Sequence, residues 1–588
     1  MSDDTTARKR RPKGSKPDWP TQIADRVLRR HERDLAGSGD SSGKKAGVVI
    51  ASGLSPSGPI HLGNLRELLV PHFVAEEVRR RGVPCEHVLS WDDYDRLRKV
   101  PAGVPESFAT HIGRPLTAVP DPWGDVASYA ERFKAPVRTA MAELGVEIRE
   151  ISQTEMYTSG AYRDQVLLAI DRRHDIDGVL QRFRTLEEGA AATVAENDDD
   201  GEEVLEAGGA EDDPVATGTD YWPYKVYCQA CGRDLTEITD VERTDDRCLV
   251  SYRCAECDHS GSFDLMVENH GKLVWKVDWP MRWAYEGVTF EAAGADHSSP
   301  GSSFSVGAEL VSIFGGEAPE YEAYSFVGIR GMGKLSSSRG AVPTPGDALS
   351  ILEPGILRWM YVRKTPRQGI TVDLGAGIHA LYDEWDSLGR KVGTGDANPS
   401  QTLTYDRARR TSIVEKFPAP AAVVPFRTLA SAVSVGAGDD TQIARIVGEL
   451  TDLDASNIAD AEPRLGHAKA WLDGFASDEE RITVRDEPDI ERLGELSEQE
   501  QAWLDLLLGH LDDDWSLEGA RTLAYGVPKL ADGLPLDTPP TDELKRQQRE
   551  FFKLLYQLVL SAETGPRMPT LLMALGQDRI RSLLATTG

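Results

Sequence analysis

The stretch SGLSPSGPIHLGNLRE, Ser52 to Glu67, decides how this chain of 588 residues is read. It follows KKAGVVIA, an apolar run of the kind that forms a strand buried on both faces. It precedes LRELLVPHFVAEEVRRRG, in which apolar residues recur at helical spacing. A strand therefore gives way to a helix through a turn that holds Pro56, Pro59, Gly53, Gly58 and Gly63. Such a turn presents backbone N–H groups beside the positive end of a helix dipole, an arrangement that suits phosphate. Small residues let a nucleotide approach the backbone closely, and His61 and Asn64, three apart, are expected on one helical face. A second apolar run, CEHVLSW (Cys85 to Trp91), reads as the next strand, so the pattern opens a parallel α/β domain that binds a nucleotide.

The common nucleotide fingerprints are missing from the turn: it carries neither GxGxxG nor a Walker A box. A decoy lies far downstream, where Gly328, Gly333 and Lys334 satisfy GxxxxGK. Leu335 stands where a P-loop needs Ser or Thr for magnesium, so a P-loop ATPase is disfavoured. The same segment, GMGKLSSS (Gly331 to Ser338), is the second element of interest.

The rest of the chain sets the frame. Its length implies three or four domains. No apolar run approaches the ~20 residues that span a bilayer, and no apolar leader opens the chain, so secretion and membrane insertion are not expected. A formal charge of −30, from 96 acidic and 66 basic residues, weighs against nucleic acid as a partner. It also suits life in concentrated salt, where a Debye length of ~3 Å at 1 M screens an acidic surface from RNA. Residues 1–20, with the basic run RKRRPKGSK, read as a disordered tail. The segment 187–213 is rich in Asp and Glu without a Lys or Arg, and is expected to be a flexible insertion. From about residue 400 amphipathic helical patterns dominate, as in Glu543 to Ala562, and no internal repeat is found.

Two CxxC pairs, Cys228 and Cys231 in CQAC and Cys254 and Cys257 in CAEC, are separated by 22 residues. Each pair spans a tight turn that delivers two thiolates to one tetrahedral ion, the signature of a zinc ribbon with structural Zn2+ over about 221–265. Cys85, in a strand pattern, is expected to be buried, and Cys248 is not expected to be a ligand.

HLGN after the first strand and KLSSS after the last resemble the paired HIGH and KMSKS signatures of class I aminoacyl-tRNA synthetases. With ASGLSPSGPIHLGNLRE, SWDDYDRLRKVP, KLVWKVDWPMRW, GADHSSPGSS, GKLSSS and the C-terminal FFKLLYQLVLSAETGPRMPTLLMALG, the ensemble resembles class I lysyl-tRNA synthetases of the archaeal type, from about residue 20 to the end. The resemblance implies an α/β fold: a Rossmann-like catalytic domain (21–150 and 271–340) split by an insertion (151–270) that carries the ribbon. A connecting region (341–400) and an all-α anticodon-binding domain (401–588) then follow.

It further implies a cytoplasmic, monomeric enzyme that joins L-lysine to tRNA(Lys) with ATP and Mg2+. ATP would meet Ser55, Pro56, Ser57, Gly58, His61, Gly63, Asn64, Lys334, Ser336 and Ser337, with His61, Asn64 and Lys334 catalytic. Two positions depart from the family pattern: Asn64 replaces the second histidine of HIGH, and Ser337 the second lysine of KMSKS, which throws more of the pyrophosphate charge onto Lys334.

The resemblance assigns the lysine pocket to Gly53, Ser55, Trp275, His297 and Tyr324. Residue chemistry alone leaves the amino acid open. An alkylammonium needs a carboxylate or an aromatic face, for which Asp278, Asp296, Trp275, Trp279 and Tyr324 are candidates. A glutamate side chain needs a fixed arginine, and Arg282 in WPMRW could be one. A synthetase-like enzyme for glutamate or another acceptor, and a non-catalytic tRNA-binding relative, stay open with it.

Overall fold

The computed structural model describes residues 17–37, 47–191, 204–205, 221–298, 302–330, 342–436, 439–477, 480–481 and 483–585, with backbone only for 184–191 and 204–205. The first described helix, α1 (Trp19–Gly37), starts inside the stretch expected to be a disordered tail. Trp19 explains the difference: its ring is buried and its indole N–H donates to the Val362 carbonyl at 2.9 Å, while Asp18 pairs with Arg407 at 2.6 Å. The remaining basic run lies outside the described residues.

The central sheet has five strands, all parallel. In spatial order they are Glu320–Tyr324, Phe290–Gly294, β1 (Val48–Leu54), β2 (Cys85–Trp91) and β3 (Arg149–Ser152). The chain winds outward from β1 to β3, leaves the sheet, and returns to the other side of β1 with Phe290–Gly294. The order thus reverses at β1, and ligands of such sheets bind at the carboxyl ends of the strands beside the reversal. β1 is buried along nearly its whole length, as the unbroken apolar run required. Helix α2 (Leu65–Arg80) is buried on almost every side against the sheet, and α3 (Tyr129–Glu143) covers the loop that follows β2.

The excursion between β3 and Phe290 contains short helices, the helix Arg173–Ala191, and an antiparallel three-stranded sheet (Thr236–Thr244, Arg247–Cys254, Ser260–Asp264). The helix runs into the segment expected to be flexible, and Val204–Leu205 pairs with Val327–Gly328; the rest of 192–220 lies outside the described residues. After the strand Ile370–Asp373 every described element is helical. One apolar core runs from Trp19 through the sheet to Trp471, and a second closes the C-terminal helices from Leu493 to Leu584. No helix among the described residues is long and apolar enough to cross a membrane.

Candidate active site

The turn between β1 and α2 is built from its own residues. Helix α2 starts at Leu65, so His61 and Asn64 stand in the turn before it rather than on a helical face. Asn64 Oδ1 accepts from the His61 amide at 3.1 Å, and His61 Nδ1 accepts from the Gly63 amide at 3.1 Å. An accepting Nδ1 places the ring proton on Nε2, which gives His61 a defined tautomer. The turn is pinned from outside as well: Tyr129 donates to the Ser57 carbonyl at 2.8 Å and Tyr361 to the Leu62 carbonyl at 2.6 Å. Pro56 and Gly63 are buried, Ser55 and Gly58 half-buried, and Ser57 exposed.

Lys334, Ser336 and Ser337 lie outside the described residues. The described flank of their segment nevertheless touches the turn, since the Leu62 amide donates to the Pro343 carbonyl at 2.9 Å. The first signature and the chain just after the second are therefore neighbours.

Beside the turn, at the carboxyl end of β1, lies a residue that the sequence reading passed over. Glu67 sits in the first turn of α2, where an acid is ordinarily taken for a partner of the helix dipole. Here it is buried: Oε1 accepts from the Gly53 amide at 3.2 Å and Oε2 from the Tyr324 hydroxyl at 2.5 Å. Its carboxyl is pushed well above the usual range, mainly by burial, with the Tyr324 bond opposing and the charges of Glu291 and Asp296 adding to the rise. Gly53 and Tyr324, expected in one pocket, are thus joined through this carboxylate. Among the described residues no Lys or Arg forms an ion pair with it.

The helix Trp275–Glu286 sets an aromatic wall against Val49 and Ala51 of β1. Trp275 stacks on Trp279 with centroids 5.4 Å apart, and His297 meets the edge of Trp279 at 6.0 Å. Trp275, Trp279 and His297 therefore come together. Ser298, after the Phe290–Gly294 strand, exchanges a hydrogen bond with Tyr321 at 2.7 Å. Asp296 is exposed beside His297, with 3.4 Å between its Oδ2 and the His297 Nε2.

Two candidates are removed by the same geometry. Arg282 is buried, bonded to Asp92 at 2.6 Å and to Asp278, so it is spent within the protein and does not serve a substrate carboxylate. Asp278 likewise accepts from Tyr157 at 2.5 Å, binds Arg282 and lies 3.3 Å from Lys272, which also pairs with Asp95. Burial alone would raise the Asp278 carboxyl, but Arg282 and Lys272 hold it below the usual range. Burial outweighs Arg282 at Asp92, whose carboxyl is pushed up to about 6.

Replacing Arg282 by Met should strip Asp92 of its ion-pair partner, leave Asp278 to Lys272 and Tyr157, and destabilise the sheet domain by ~3–5 kcal/mol, the penalty for breaking a buried pair. A raised folded-state carboxyl costs stability only above its unfolded titration range. The deficit in urea unfolding should therefore shrink as pH falls toward ~4, where such acids take up protons.

The four cysteines form a separate cluster whose sulfur atoms lie within 4.8 Å of one another. Cys228 Sγ and Cys257 Sγ are 3.7 Å apart, as are Cys231 Sγ and Cys254 Sγ. A tetrahedral ion with ligands at ~2.3 Å has edges of ~3.8 Å, so the donor set fits a metal. Cys248 is buried outside the cluster, and Cys85 is half-buried at the start of β2, packed against the main core. The cluster grips the loop after β2: Arg114 Nε donates to the Cys231 carbonyl at 3.2 Å, and Arg233 to the Thr110 carbonyl at 2.8 Å.

A parallel sheet that reverses at β1, with a phosphate-suited turn and a buried carboxylate at that point, is the frame of a class of protein that sequence similarity names. Residues 17–414 match the family of class I tRNA synthetases (K). The chain belongs to this family. It is 50% identical over 577 residues to a lysine–tRNA ligase of Streptomyces coelicolor, covering 96% of this chain and 98% of that one. The lysine–tRNA ligases of Pyrococcus horikoshii and Thermococcus kodakarensis are each 32% identical, with 97% of this chain and 99% of theirs covered.

Proposed function

We infer that this protein is an enzyme that attaches lysine to tRNA at the expense of ATP. The observation that carries the choice of amino acid is Glu67, a buried carboxylate held by neutral donors at the carboxyl end of β1. A carboxylate taken out of water without a cation is costly, and an arriving ammonium repays that cost. A glutamate side chain would find no cation there, since Arg282 is already engaged.

In this reading the lysine ammonium meets Glu67 and Tyr324, and Gly53, Ser55, Trp275 and His297 enclose the stem and the α-amino acid end. ATP lies along the turn Ser55, Pro56, Ser57, Gly58, His61, Gly63 and Asn64. Lys334, Ser336 and Ser337 supply the second half of the phosphate site, and Mg2+ accompanies the phosphates as charge neutraliser. The lysine carboxylate attacks the α-phosphorus in line; the new C–O–P bond forms as the bond to the β-phosphate oxygen breaks, and pyrophosphate leaves with the electron pair. A ribose hydroxyl of the terminal adenosine of tRNA, 2′ in this class, then takes the lysyl group and AMP departs.

No side-chain nucleophile is needed, because positioning and charge stabilisation lower the barrier. His61 Nε2–H and the Asn64 amide are the donors for this purpose, and Lys334 balances the leaving pyrophosphate. The cysteine cluster holds structural zinc, the C-terminal helices read the anticodon, and the reaction belongs in the cytoplasm.

The test is charging of total tRNA by the purified protein in molar KCl, with labelled lysine, glutamate and glutamine compared. Lysine alone should be charged. His61→Ala should lower the rate by about 100- to 1,000-fold, the usual loss on removing one donor to a transition-state anion, without changing the unfolding curve. Charging of glutamate would overturn the reading of the pocket.

A further inference from the structure

Glu291 is the one acidic residue in a strand that otherwise reads Phe, Ala, Ala, Gly, and it stands in register with Ala51 of β1 and Tyr321 of the neighbouring strand. It is 5% exposed. A lone carboxylate at the centre of a sheet costs several kcal/mol in lost hydration, and packing alone does not call for one. Its partners are neutral. Both oxygens accept from Trp279 Nε1 at 3.1 Å, and Oε2 also accepts from Trp283 Nε1. No Lys or Arg among the described residues pairs with it.

These two indoles are the root of the aromatic wall. Trp279 carries Trp275 on its face and His297 at its edge, and Phe304 packs against Trp279 and Trp283 and stacks on Tyr321. Glu67 lies close enough to feel the Glu291 charge. Burial pushes the Glu291 carboxyl up to about 7 against the two indole bonds and the Arg282 charge, so it is ionised on the alkaline side of that value.

We propose that Glu291 is a positioning residue for the amino-acid substrate: it fixes Trp279 and Trp283 through their indole N–H groups, and its charge behind that wall favours a cationic side chain over a neutral one. The inference rests on the lysine reading of the pocket. It assigns the discrimination to two carboxylates, Glu67 at the ammonium and Glu291 behind the aromatic wall. Glu291→Gln keeps an acceptor for the indoles and removes the charge.

The experiment, run at pH ~8.5 where Glu291 is ionised, compares the lysine KM and kcat in ATP–pyrophosphate exchange with tRNA present, and the inhibition constant of norleucine, which is lysine without its ε-amino group. Glu291→Gln should raise the lysine KM about tenfold, the scale of a charge acting across part of a protein interior, with kcat and the norleucine constant nearly unchanged. The ratio of lysine to norleucine affinity should fall by the same factor. Parallel weakening of both ligands would mean a purely structural role, and no change in either would mean none; both overturn the proposal. If Glu291→Gln does not fold, Trp279→Phe tests the same link, since it retains a ring but loses the bond: the lysine KM must rise while the ATP KM holds. Failure of the wild-type protein to use lysine at all would instead sink the reading beneath it.

Discussion

Glu67→Gln should reduce kcat/KM for lysine by about 150- to 5,000-fold, the range set by the ~3–5 kcal/mol that a buried charge loses with its partner. The substitution is nearly isosteric, and a glutamine oxygen can still accept from the Gly53 amide or the Tyr324 hydroxyl. The fold and the ATP KM should therefore be unchanged, and the loss should appear in the lysine KM. The pH profile separates a charge effect from a packing effect. Burial raises the Glu67 carboxyl, so in the free enzyme it is protonated over a wider range than an ordinary glutamate. Only the ionised form pairs with the ammonium. The lysine KM of the wild type should consequently fall as pH rises through that titration, and the slope should flatten in Glu67→Gln. A variant with wild-type lysine KM would remove Glu67 from the pocket.

That Glu67 was passed over in the sequence, while Gly53 and Tyr324 were not, has a physical cause. An acid in the first turn of a helix has an ordinary explanation in the helix dipole, and nothing local announces that this one is buried. Burial comes from Tyr324, 257 residues away, and from the turn it folds under. Glu291 did carry a signal, a lone acid in an apolar run, but the two indole donors that make it tolerable come from a different element. The opening of the parallel α/β domain was legible because β1 begins as an apolar run and the glycine-rich turn follows it; the order of the strands was not, because it is set by where the chain returns after its long excursion. The cysteine cluster was legible because both pairs are local in sequence and only their meeting is not. Arg282 and Asp278 were offered as ligand residues on chemical type alone. They lie four apart on one helix and satisfy each other, with Asp92 and Lys272 completing the group. Charged residues at that spacing are partners first.

Loss of the metal should have the other large effect. Structural zinc in small modules contributes ~10–16 kcal/mol of apparent binding energy, which is also folding energy. The three-stranded sheet that carries Cys254 exposes most of its first strand, so the thiolates hold much of it together. Cys228→Ser, or a strong chelator, should release one zinc per chain and disorder that sheet, while the five-stranded parallel sheet stays folded on its own core. The consequence reaches the reaction through the loop after β2. Its Thr110 and Gly113 carbonyls accept from Arg233 and the Asp234 amide, and Tyr94 accepts from Tyr227 at 2.5 Å. The start of the same loop holds Asp92, which fixes Arg282 in the helix that carries the tryptophan wall. Charging of tRNA should fall at least tenfold on metal loss, with a weaker lysine affinity as part of the deficit. Metal content, far-UV dichroism and charging measured on the same samples decide it. Unchanged zinc in Cys228→Ser would refute the ligand set, and full activity without zinc would uncouple the ribbon from the pocket.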